Sequence, residues 1–379
     1  MKKKYIIFSI VTLVLLVALI TSFNYFKTTN TYIDDSFNNQ TKITKGISMN
    51  LEQTAGAGDY KTVTQSGWPT EGYKFNSELS RCENGSEISW DDTKKAVIVS
   101  GNLSDKCYVY FDIYQPTLAE YVISQYTGTQ GENNIYYHDS SLANGAGDNS
   151  YRYAGASDSV NNYICLGSDE ATCPDANLFR IIGVFGAQTK VIRAKSVGNQ
   201  KWDTNGSNTW STSSLNTYLN GTYLTSLGTL TDKIATTTWK VGGGSWANIG
   251  TSVPKTAYQY EVGSSASTTT YDAKIGLMYV TDYYYSASPS AWTLMGYNSD
   301  ATKDYRAAKT TNWLYLGSYE WVISRTSDST NIAFLVYSTG VVDFSAVSIS
   351  YAVRPSFNLL SSTTYVSGSG SMSDPVRVN

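Results

Sequence analysis

No charged residue stands between Lys4 and Lys27, and the stretch from Tyr5 to Phe26 is dominated by Ile, Val, Leu and Phe. A helix rises about 1.5 Å per residue, so roughly 20 such residues match a hydrocarbon layer of about 30 Å. Lys2, Lys3 and Lys4 precede the run and Lys27 lies just beyond it, so the positive-inside bias keeps Met1 in the cytoplasm and exports everything after Phe26. The expectation is a transmembrane signal-anchor over residues 1–26. A cleaved signal peptide is the competing reading, but no Ala-x-Ala site closes the run, and bulky Ile20 precedes Thr21 and Ser22. Both readings send the rest of the chain across the membrane.

Export sets how the four cysteines are read. They form two local pairs, Cys82/Cys107 and Cys165/Cys173, which predicts two disulfides in an oxidising compartment. Structural zinc is a poor alternative, because Cys165-x7-Cys173 is wider than a two-to-four-residue knuckle. A net charge of −3 without a basic patch beyond the anchor argues against nucleic acid as a partner. Charged residues are only 16% while tyrosines number 31, a balance that suits strands with polar turns and an exposed contact surface.

Residues 27–45 read as a polar stalk or a helical continuation of the anchor. Residues 46–114 read as a small β module with strands at Ala96–Val99 and Cys107–Phe111 and a turn at Gly101–Asp105. A Cys82–Cys107 bridge closes a loop of roughly 25 residues, and chain entropy puts its contribution at about 3–4 kcal/mol. Pro116 opens a larger domain over 115–379. It begins with a helix at Leu118–Ile123, then strands at Leu178–Phe185 and Lys190–Ala194 about a turn at Gly186. Leu215, Tyr218, Leu219, Tyr223 and Leu224 recur at helical spacing after Ser213 and Ser214, which suit N-capping. Gly276–Tyr285, Tyr319–Ser324 and Ile332–Tyr337 read as strands, with Val341–Val342 and Tyr351–Leu359 after them. The fold class is α+β: twisted antiparallel strands with one or two helices.

Three stretches carry a resemblance: Trp210–Asn220, Tyr319–Arg325, and Ala352–Leu359 ahead of Gly368–Pro375. Together they resemble an uncharacterised domain of Gram-positive gut-bacterial surface proteins, similar in fold to C-type lectins and formylglycine-generating enzymes. The region around Cys82–Ser86 and Asp105–Phe111 resembles the module often found ahead of that domain. The resemblance implies a C-type-lectin-like fold over about 117–379 and no established chemistry.

The residues limit what that fold does here. Copper-dependent relatives use late cysteines, and no cysteine comes after Cys173; iron-binding relatives use several histidines, and the chain has one, His138, expected to be a solvated loop residue. A lectin-type calcium cage needs carboxylates that Ser288-Pro289-Ser290 and Thr311-Asn312-Trp313 lack. No metal and no cofactor is expected. Ser-His-Asp catalysis lacks a Gly-x-Ser-x-Gly elbow, and Gly242-Gly243-Gly244-Ser245 lacks the Lys of a phosphate loop. A glycan hydrolase using two of Asp282, Glu320, Asp328 and Asp343 stays open, as does a pilin-like structural subunit, although no glutamate lies near the start of the apolar run.

The favoured expectation is an adhesin-like, membrane-anchored recognition protein that binds an extracellular glycan or protein through a metal-free loop face. By the resemblance, that face draws on Tyr283, Tyr284, Tyr285, Trp292, Arg325, Tyr337, Asp343, Phe344, Ser348 and Tyr351, with some of these expected to point inward instead. Arg354 is expected to pair with a buried carboxylate, Glu320 or Asp282.

Overall fold

A computed structural model describes residues 31–32, 46–64, 69, 72–102 and 105–379. The expected anchor and most of the expected stalk lie outside the described residues, among which no helix is long and apolar enough to cross a membrane. The chain divides into two compact units, 1–115 and 116–379.

The described residues of the first unit form strands β1 (Thr31–Tyr32), β2 (Ile47–Glu52), β3 (Tyr60–Val63), β4 (Tyr73–Phe75), β5 (Arg81–Cys82), β6 (Glu87–Asp91), β7 (Ala96–Ser100) and β8 (Cys107–Ile113). Thr31–Tyr32, expected to be stalk, instead pairs with Val99 and Ile98. One sheet runs β3-β2-β8-β4 with β5 against β8, and a second runs β1-β7-β6. Among the described residues the core of the unit is small: Met49, Leu51, Val97, Val99, Cys107, Val109 and Phe111. So few apolar residues bury little area, and the Cys82–Cys107 bridge supplies what the core lacks.

The second unit begins at a capped helix, α1 (Leu118–Ser124), where the Thr117 hydroxyl and the Glu120 carboxylate satisfy each other's backbone amides. Next come strands β9 (Ile135–Tyr137), β10 (Tyr151–Tyr153), β11 (Tyr163–Cys165), β12 (Leu178–Phe185) and β13 (Gln188–Arg193). They form a sheet in the order β21-β13-β12-β10-β9, with β11 on β12 and β21 at Ser356–Asn358. Gly186 turns the β12–β13 hairpin at φ 61°, a left-handed conformation that glycine takes without Cβ strain. The Cys165–Cys173 bridge closes the loop after β11, so both expected disulfides are present.

A second sheet runs β14-β20-β17-β18-β19, from β14 (Asn199–Lys201), β17 (Glu320–Arg325), β18 (Ile332–Val336), β19 (Val342–Ala346) and β20 (Ser350–Ala352). Two short pairs complete the strands: β15 (Thr237–Lys240) with β16 (Thr270–Ala273), and β22 (Tyr365–Ser367) with β23 (Arg377–Val378). The expected helix after Ser213 forms as α2 (Ser214–Tyr218), capped by the Ser213 hydroxyl, and continues through a π turn at Leu219–Tyr223. Helix α3 is Trp246–Ile249 and α4 is Pro254–Glu261. The unit is therefore α+β and mostly strand.

Two further expectations are corrected. Gly276–Tyr285 is not a strand, because Val280–Tyr285 forms helix α5. Asp282 accepts the Tyr279 amide at 2.7 Å, and the buried Glu261 carboxylate accepts the Val280 and Thr281 amides, each at 2.8 Å. These acceptors satisfy the helix start, and all six residues of α5 are buried. A helix buried on every side shows no apolar stripe, so its composition reads as a core strand.

His138 is not solvated. It is fully buried, with its ring 4.8 Å from Tyr285 and 5.1 Å from Trp292, and its Nδ1 accepts the Ala146 amide at 3.1 Å. Burial drives its pKa well below the ordinary 6.5; Arg152 acts the same way and Asp148 opposes. The unfolded chain therefore binds a proton near pH 6.5 that the folded chain refuses. Folding stability from this group is complete above that pH and falls as pH drops below it, by at most about 1.4 kcal/mol per unit. Denaturant melts of the native protein and His138→Gln, compared between pH 5 and pH 8, are expected to show that slope lost in the variant. An unchanged slope would assign the pH dependence to carboxylates.

Candidate functional site

The antiparallel pairing of β18 with β19 places Leu335 opposite Asp343 and Phe334 opposite Phe344. Side chains alternate across a strand, so Asp343 and Phe344 face opposite sides of the sheet. On the Asp343 side the sheet carries a cluster of tyrosines. The Tyr319 and Tyr351 rings stack at 5.2 Å and 19°, Tyr337 lies 4.7 Å from Tyr319, and Tyr351 covers Trp321 at 5.0 Å. The Tyr351 hydroxyl reaches Ser345 Oγ at 3.3 Å.

Tyr319 is 39% exposed, while Tyr337, Asp343 and Tyr351 are half-buried. Burial pushes the Asp343 carboxyl up, against a hydrogen bond from the Phe344 amide. Burial, with Asp343, Tyr351 and Tyr319 nearby, raises the Tyr337 phenol to about 12. The result is a semi-exposed aromatic platform with a carboxylate at its margin, in a unit where no grouping of described residues can hold a metal ion.

The remaining expected site residues scatter. Phe344 is exposed on the other side of the sheet, its ring 5.0 Å from Trp246. Ser348 is exposed in the turn between β19 and β20. Arg325 ties loops together, donating to the Gly242 carbonyl at 3.1 Å and to Asn208 Oδ1 at 3.2 Å.

Tyr283, Tyr284, Tyr285 and Trp292 are core residues, each no more than 1% exposed, which corrects their expected place on a ligand face. Each buries a ring and hands its polar atom to a backbone carbonyl: Tyr283 to Gly340 at 2.8 Å, Tyr284 to Ile249 at 2.9 Å, Tyr285 to Asn144 at 3.3 Å and Trp292 to Ala287 at 2.9 Å. A tyrosine with such a partner costs little to bury, so tyrosine content alone does not separate core from surface.

The four carboxylates considered for glycan hydrolysis have separate occupations. Glu320 is bound by the Arg354 guanidinium at 2.6 and 2.8 Å, and Asp282 by Lys190 at 2.5 Å. Asp328 accepts the Trp246 amide at 2.7 Å, and Asp343 borders the tyrosines.

Sequence reading missed a cavity of about 190 Å³. Arg152, Lys190, Lys240, Asp148, Asp282 and Asn358 line it, together with the Trp239 and Tyr279 rings. Arg152 and Lys190 are 2% and 5% exposed. The available signal was a cation set among apolar strand residues: Lys190 before Val191-Ile192, and Arg152 between Tyr151 and Tyr153.

No curated protein and no solved structure matches the chain. Residues 187–361, less than half of the chain, match the family described as Domain of unknown function (DUF6273), a span that contains the tyrosine platform whole and Lys190 and Asp282 of the cavity, but not Arg152.

Proposed function

We propose that this is an exported recognition protein, held to the cell membrane by its N-terminal apolar run with Met1 in the cytoplasm. In this reading the second unit is a C-type-lectin-like domain of a Gram-positive surface protein. It binds an extracellular glycan or protein ligand without metal, through the face of β17–β20 that carries Tyr319, Tyr337, Tyr351 and Asp343. The observation that carries the proposal is the stacked, partly exposed Tyr319–Tyr351 pair beside a half-buried carboxylate. Aromatic rings bind the apolar faces of sugars or a partner's side chains, and the acid orients hydroxyl or amide donors. Two disulfides support an extracytoplasmic setting.

The test is an array of glycans and extracellular proteins probed with the full-length protein in nanodiscs, with and without chelator. Binding is expected to survive chelation. Tyr319→Ala is expected to weaken it by roughly thirtyfold, equivalent to about 2 kcal/mol, with little change in melting temperature. Tyr351→Ala is expected to lose both binding and some stability, because its ring covers Trp321. Unchanged binding in Tyr319→Ala would remove this face from consideration. Protease treatment of intact cells tests the topology, since the proposed orientation exposes everything beyond the apolar run.

A further inference from the structure

The cavity beside β13 and α5 is built around charges whose hydrogen bonds are unequally spent. Of the four carboxylate oxygens of Asp282 and Asp148, all but Asp282 Oδ1 accept hydrogen bonds. Asp282 Oδ2 accepts from Lys190 Nζ at 2.5 Å and from the Tyr279 amide at 2.7 Å. Asp148 Oδ2 accepts from Arg152 Nη2 at 2.6 Å and from the Tyr258 hydroxyl at 2.9 Å, and its Oδ1 accepts from Ser150. Burial pushes Asp148 up, but Arg152 and Ser150 outweigh it and bring its pKa down to about 2.

The cations are less fully engaged. Arg152 bonds through Nε to Ser150 and through Nη2 to Asp148, while Nη1 stands 3.8 Å from Asp282, beyond hydrogen-bond range. Lys190 has three protons and bonds Asp282, with its ammonium otherwise over the Tyr279 ring at 4.5 Å and the Trp239 ring at 5.3 Å. Three cationic side chains, Arg152, Lys190 and Lys240, face two anionic ones, Asp148 and Asp282, around the cavity. Glu261 lies behind this wall, taken up by the α5 amides and by the Thr281 and Ser324 hydroxyls.

One acceptor on the wall is unsatisfied. Asn358 is 9% exposed; its Nδ2 donates to Thr237 Oγ1 at 3.0 Å, and its buried Oδ1 has no hydrogen-bond partner. A buried acceptor left unpaired destabilises the fold, and a ligand donor recovers that cost. A cavity of about 190 Å³ has room for a small ligand group.

We propose that this cavity is a second binding site, separate from the tyrosine face, for a single carboxylate group that carries a neighbouring hydroxyl or amine. The carboxylate takes the unspent protons of Arg152 Nη1 and Lys190 Nζ and balances the excess positive charge. The hydroxyl or amine donates to Asn358 Oδ1. The same chemistry occurs in a free hydroxy or amino acid and in an acidic sugar.

Titration calorimetry and thermal shift on the full-length protein test this with glycolate, glycine and glucuronate, and with glucose as the neutral control. At least one carboxylate is expected to bind and raise the melting temperature while glucose does not. Glycolate and glycine distinguish a hydroxyl from an amine donor, and glucuronate tests the group on a sugar ring. Asn358→Ala is expected to weaken binding roughly fivefold to tenfold, the loss of one hydrogen bond. Lys240→Ala is expected to weaken it several-fold and reduce its salt dependence. Both variants leave the buried Arg152–Asp282–Lys190 network in place, so they fold even if Lys190→Met does not. No binding by any of the three carboxylates, equal binding of glucose, or unchanged affinity in both variants would overturn the proposal. Each of these readings is independent of whether Tyr319→Ala alters the other face.

Discussion

Arg354→Met is expected to lower the stability of the second unit by about 3–5 kcal/mol at pH 7, because it strands a buried carboxylate. Arg354 is 3% exposed and Glu320 1%; the guanidinium donates to both carboxylate oxygens and to the Leu314 carbonyl. A buried ion pair is weak evidence of net stabilisation, since solvation lost by both partners offsets their attraction. Removing one partner keeps the desolvation cost and discards the compensation. At roughly 2–4 °C per kcal/mol for a unit of this size, the melting temperature is expected to fall by about 6–20 °C.

The effect carries a pH signature. Burial already pushes Glu320 above the ordinary glutamate value, against the pull of Arg354. Without the cation its folded pKa rises further. A carboxylate whose folded pKa exceeds its unfolded value of about 4.3 loses stability as pH rises above that value. The Arg354→Met penalty is therefore expected to shrink as pH falls through about 4.3, below which Glu320 is protonated in both states. The double variant Arg354→Met/Glu320→Leu is expected to recover much of the loss at pH 7. A pH-independent penalty with no recovery in the double variant would mean that packing, not charge, governs this site.

Tyr283→Ala is expected to cost about 3–5 kcal/mol, the cost of truncating a buried aromatic. Tyr283→Phe is expected to cost only about 1–1.5 kcal/mol, from the lost hydrogen bond to Gly340. The Tyr283 ring packs 5.7 Å from Tyr305 and is fully buried in the main core of the unit. Denaturant melts at constant m-value separate the two variants. Near-native stability of Tyr283→Ala would return this residue to the surface.

That pair of variants probes where sequence reading stops. The β-strands at Leu178–Phe185, Glu320–Arg325 and Ile332–Val336 were legible because β-branched and aromatic runs bounded by polar turns have few other solutions. Helix α1 was legible from Leu118–Ile123, and the start of α2 from the cap at Ser213. The local spacing of the cysteines predicted both disulfides. One of the two carboxylates foreseen for Arg354 was the right one, Glu320.

What remained depended on contacts distant in the chain. Tyr283 and Tyr319 are the same amino acid in similar polar-aromatic surroundings, yet one is core and the other surface. The difference is the carbonyl of Gly340, which meets the Tyr283 hydroxyl from 57 residues away. Helix α5 starts where it does because Glu261, on α4, reaches the Val280 and Thr281 amides. The cavity exists because Arg152 on β10, Lys190 on β13 and Asp282 on α5 converge, and no spacing in the sequence encodes that convergence. Local propensity and cysteine spacing are properties of neighbouring residues and can be read from the sequence alone. Burial of a tyrosine or pairing of a charge depends on which distant backbone group or counter-ion lies opposite, and only the tertiary structure decides that.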